Sequence, residues 1–132
     1  MGIPYGGVDV VRLLQEGMRV AELNQKFIAN NVANADTPHY NPVELDFQKT
    51  LRAAVEGRVQ FSLRKTDPRH LDSYRYRPVL KQLAPLSKND YNKVDIDQEM
   101  VKLSENTGRY TTYGSLLVKH FQEIKSMLDK LR

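Results

Sequence analysis

Apolar and small side chains recur along the last third of the chain at alternating steps of four and three: Ile96, Met100, Leu103, Thr107, Tyr110, Gly114, Leu117, Phe121, Ile124, Leu128 and Leu131. This is the a/d spacing of a coiled-coil seam held over five heptads, and it predicts a helix from about Ile96 to Leu131. Asp95 supplies its N-cap, Gln98 and Glu99 follow in the first turn, and Lys125, Lys130 and Arg132 sit near the end where the helix dipole favours cations. Such a helix is on the order of 54 Å long at 1.5 Å per residue, more than a compact domain of this size usually needs.

The N-terminal segment carries a matching seam in Val10, Leu14, Gly17, Ala21, Asn24, Ile28, Asn31 and Ala35, flanked by Leu13, Val20 and Phe27 one heptad apart. Arg12, Gln15, Arg19, Glu22 and Lys26 fall on the opposite face. Two amphipathic helices of this kind predict a hairpin that buries part of each stripe and leaves much of each circumference for other contacts. An antiparallel register with paired positions summing to 138 sets small residues against large ones, Gly17 on Phe121 and Ala21 on Leu117. It also puts Val10 on Leu128, Leu14 on Ile124 and Asn24 beside Gly114.

The first helical pattern exits through Asn30, Asn31, Asn34, Thr37 and Pro38 to Tyr40. Three amides and a threonine, closed by a proline that biases Thr37 away from the α region, make an exit rich in side-chain to backbone hydrogen bonds. Beyond it, residues 41–93 change character. Asn41-Pro42 and Glu44-Leu45-Asp46-Phe47 predict a short helix running to about Glu56 and ended by Gly57. Residues 59–64 alternate apolar and polar as a strand does, and the stretch after Thr66 is punctuated by Pro68, Pro78 and Pro85. The expected fold is therefore mainly α. Long N- and C-terminal heptad helices (1–40 and 94–132) form an antiparallel coiled coil, and a partly extended middle segment (41–93) holds a short helix and short β structure.

Charge and composition narrow the chemistry. The net charge of +4 belongs to the middle: 1–40 carries 3 basic and 4 acidic side chains, 41–93 carries 11 and 6, and 94–132 carries 6 and 6. The chain has no cysteine, which rules out disulfides, thiolate nucleophiles and thiolate metal sites. His39, His70 and His120 are isolated and lack ligand spacing. Asp95-Ile96-Asp97 resembles the opening of a calcium loop, but the glycine and closing glutamate are missing and helix capping explains the carboxylates better. Glu44 and Asp46 have no nucleophile near them in sequence, and there is no glycine-rich phosphate loop. No enzyme and no cofactor is expected. The basic 64–81 segment, with Arg64, Lys65, Arg69, Arg75, Arg77 and Lys81 interleaved with Tyr74 and Tyr76, is the one candidate for nucleic-acid contact, and a nucleic-acid-associated coiled coil is the alternative function. A solvated or partner-facing basic surface accounts for the segment better, since no recognition module surrounds it. Nothing near Met1 reads as a cleavable signal and no apolar run is long enough to span a membrane.

Across nearly its whole length the chain resembles the proximal rod proteins of the bacterial flagellar basal body, the FlgB class. The resemblance rests on the N-terminal heptad helix, the Asn30 to Tyr40 signature, Phe61-Ser62-Leu63-Arg64-Lys65-Thr66 followed by His70, and Asn92 to Met100 leading into a helix with Glu105-Asn106 and Tyr110. It departs at His39, where the family usually has glycine, so a positive φ there would carry a cost. The resemblance implies a non-catalytic structural subunit that polymerises helically into the rod, the drive shaft carrying torque from motor to hook and filament. Its implied partners are copies of itself, other rod proteins, and components at the junction of membrane ring and export gate. Nucleic acid is not among them. The implied location is the periplasmic rod of the basal body, reached through the flagellar type III export apparatus without a cleavable signal peptide. Asn30, Asn31, Asn34, Thr37, Pro38 and Tyr40 form the implied assembly signature, and the heptad positions form the coiled-coil seam.

Overall fold

Three helices make up the computed structural model, which describes residues 9–57, 78–81 and 94–132. Helix α1 (Val10–Ala33) begins where the Asp9 carboxylate accepts the Val11 N–H at 3.0 Å. Helix α2 (Phe47–Glu56) is capped by Asp46, whose side chain accepts the Lys49 N–H at 3.1 Å, and ends at Gly57. Helix α3 (Ile96–Lys130) starts at Asp95, which accepts the N–H groups of Asp97 and Gln98. All three caps satisfy backbone donors that the first turn leaves free.

Both stripes of α1 are used. Leu14, Gly17, Ala21, Ile28 and Asn31 are buried on one side. On the flanking stripe, Val20 and Leu23 join Leu45 and Ala54 in a small core, with Phe27, Phe47 and Leu51 packed around it. Helix α2 is thus the cover for the Leu13, Val20 and Phe27 stripe, while Arg12, Gln15, Arg19, Glu22 and Lys26 face solvent. Residues 78–81 lie along 44–46, with Asp46 N–H donating to Val79 O at 2.8 Å and Lys81 N–H to Glu44 O at 2.9 Å. The Thr50 hydroxyl, fully buried, accepts the Val79 N–H at 3.0 Å. Among the described residues the β structure amounts to the isolated antiparallel bridge Leu45–Leu80, and the strand expected at 59–64 lies outside them.

Helices α1 and α3 touch through Gly17 and Tyr113, Asn24 and Asn106, and Asn31 and Glu99. Each pair is one heptad from the next on both helices and each sums to 130, so the helices run side by side in opposite directions. The expected sum of 138 is therefore wrong by eight residues, a heptad and one more, so α3 turns Glu99, Asn106 and Tyr113 toward α1. Gly17 faces Tyr113, not Phe121: the Tyr113 ring lies 3.1 Å from where a Cβ on Gly17 would stand. The reason is polar. The adopted alignment joins buried amides across the interface, which apolar matching ignores.

Two of the described residues hold a positive φ, Gly57 at 63° closing α2 and His39 at 62° in the exit from α1. Glycine adopts this region freely, whereas a side chain bearing a Cβ pays on the order of 1 kcal/mol there. Opposite effects should follow: Gly57→Ala lowers stability by about 1 kcal/mol, and His39→Gly leaves it unchanged or raises it by up to about 1 kcal/mol. Thermal melts of the two variants check the signs.

Candidate functional site

The exit of α1 folds back on the helix because Asn31 holds it there. Asn31 is 1% exposed. Its Nδ2 donates to Val43 O at 2.9 Å and to Glu99 Oε2 at 3.3 Å. Its Oδ1 accepts the Val43 N–H and the Tyr40 hydroxyl, both at 3.0 Å. Two donors and two acceptor positions are the full capacity of a carboxamide, so every one is used. A single side chain thereby joins the returning segment, the tyrosine of the turn and α3.

From Asn31 the network continues through charge. Glu99, buried, receives Asn31 on one oxygen and Lys102 Nζ on the other at 2.9 Å. Lys102 also pairs with Glu44, which in turn meets Lys81 at 3.3 Å. Burial pushes the Glu44 carboxyl up, but hydrogen bonds and charge from Lys102 and Lys81 outweigh it and hold the group below the usual carboxylate range. Burial likewise pushes Lys102 down, and its bonds to Glu44 and Glu99 outweigh that and raise it. One heptad along α3 from Glu99, Asn106 is also 1% exposed and donates to Ala21 O at 2.8 Å and Gln25 Oε1 at 3.0 Å, while its Oδ1 accepts from Asn24 at 2.9 Å.

The other signature residues act locally. Asn34 donates its side-chain amide to Asn30 O at 2.8 Å, doubling the backbone N–H that reaches the same carbonyl, and accepts from the Thr37 hydroxyl at 3.3 Å. Asn30, Thr37 and Pro38 are exposed. Of the seam positions, Leu14, Ala21 and Ile28 are buried and Leu103 and Leu117 half-buried. Val10, Ile96, Met100, Tyr110, Phe121, Ile124, Leu128 and Leu131 are exposed. The basic segment lies outside the described residues except for its end, where Lys81 is paired with Glu44. Glu99, Lys102 and Asn106 were not marked as site residues by the sequence reading. The signal for two of them was available: Asn24 and Asn31 on one helix match Glu99 and Asn106 on the other, each pair seven apart.

This amide-centred turn, on a heptad helix, coincides with a known pattern. Residues 12–40 match the family model for flagella basal body rod protein. The chain is 31% identical over 127 residues to the flagellar basal body rod protein FlgB of Borrelia hermsii, covering 89% of this chain and 94% of that one. It is 30% identical over 122 residues to FlgB of Bacillus subtilis, covering 89% and 92%, and 29% identical over 130 residues to FlgB of Escherichia coli, covering 92% of each. The chain belongs to the FlgB family of flagellar basal body rod proteins. It is a structural component of the basal-body rod and not an enzyme. The stretch matched by the family model spans α1 and the exit turn, the part of this rod protein that Asn31 organises.

Two outcomes follow for the FlgB chain. Asn31→Ala strands the Val43 N–H and C=O and should cost about 2–3 kcal/mol, while Asn34→Ala, at an exposed cap, should cost less than about 1 kcal/mol. Denaturant titrations of the two variants read the difference. The second concerns pH. The stability that Glu44 supplies is fully present above its ordinary value of 4.5 and is lost as pH falls through its lower folded value. That from Lys102 is fully present below its ordinary 10.5 and is lost as pH rises through its higher folded value. Glu44→Gln should therefore lower the melting temperature near neutrality, by about 1 kcal/mol in stability, and make the acid-side decline shallower.

Proposed function

We propose that this chain is a subunit of the proximal rod, polymerising helically with copies of itself and with other rod proteins into the drive shaft that carries torque to hook and filament. The observation that carries this reading is the apolar surface that the described residues leave uncovered. Helix α3 has 35 residues against 24 in α1, and its exposed side includes Ile96, Met100, Val101, Phe121, Met127, Leu128 and Leu131. A soluble monomer seldom carries so long an apolar stripe without a partner. Copies placed head to tail would bury it through heterologous contacts, which extend along an axis without closing.

In this reading the antiparallel pairing of α1 and α3 becomes a coiled coil once neighbouring subunits add their helices, with Val10, Leu14, Ala21, Ile28, Ile96, Met100, Leu103, Tyr110, Leu117, Phe121, Ile124, Leu128 and Leu131 as its seam. The signature residues Asn30, Asn31, Asn34, Thr37, Pro38 and Tyr40 shape the turn presented at the end of that coil. Its other partners are components at the junction of membrane ring and export gate. The subunit reaches the periplasmic rod through the flagellar type III export apparatus, without a cleavable signal peptide. No described helix is long and apolar enough to cross a membrane. Deleting the gene and imaging basal bodies by electron microscopy tests the role. Rods should be missing or truncated and cells non-motile, and intact rods in the deletion strain would overturn it.

A further inference from the structure

We draw no further inference here: the strongest candidate, the open groove between α1 and α3 lined by Ala21, Gln25, Asn106, Thr107 and Tyr110, is an unpartnered face, and nothing in the structure shows what covers it.

Discussion

The carboxamide of Asn31 is the interaction on which the rest of the structure depends. Its four hydrogen bonds tie three parts of the chain that share no backbone ladder: the end of α1, the Tyr40 to Val43 return, and the first turn of α3. The return needs this support. Val43 belongs to no helix or strand, so both of its peptide groups turn to a side chain for partners. Once Val43 is fixed, Leu45 enters the core beside Val20 and Leu23, Asp46 stands where it can cap α2, and Glu44 reaches Lys102. Residues far apart in sequence are placed by one amide at the end of one helix.

The signature around that amide divides into separate duties. Asn34 and Thr37 finish α1 with local bonds that a solvent-exposed helix end uses in many proteins. Tyr40 closes over Asn31. His39 takes a left-handed backbone conformation that glycine adopts far more freely, so this chain carries strain at the tightest point of the turn. A turn kept in spite of that strain is one held by its surroundings, and the Asn31 bonds on either side of it supply the hold.

Much of the fold was legible in the sequence. Asp95 and the heptad stripe marked α3 to within a residue at its end, and Glu44 to Gly57 marked α2 with its left-handed stop. The solvent face of α1 and its buried Leu14, Ala21 and Ile28 followed from periodicity alone. The alignment of the two long helices did not. Matching small residues to large ones treats Asn24, Asn31 and Asn106 as interruptions, whereas buried amides choose their neighbours by donor and acceptor geometry. Glu99 was read as a first-turn acid suited to the helix dipole, and that role hid its buried position between Asn31 and Lys102. The exposed seam residues at the C-terminal end of α3 are a different case: periodicity identifies them as apolar, but none of the described residues covers them.

The most direct measurement of the central claim is amide hydrogen exchange at Val43 in the folded protein. Its N–H has the Asn31 side chain as acceptor and sits outside every helix, so protection there reports the clasp and not regular secondary structure. The account predicts that Val43 exchanges as slowly as the best-protected amides of α1, through unfolding of the whole domain. Exchange at the rate of an open loop, while α1 remains protected, would contradict it.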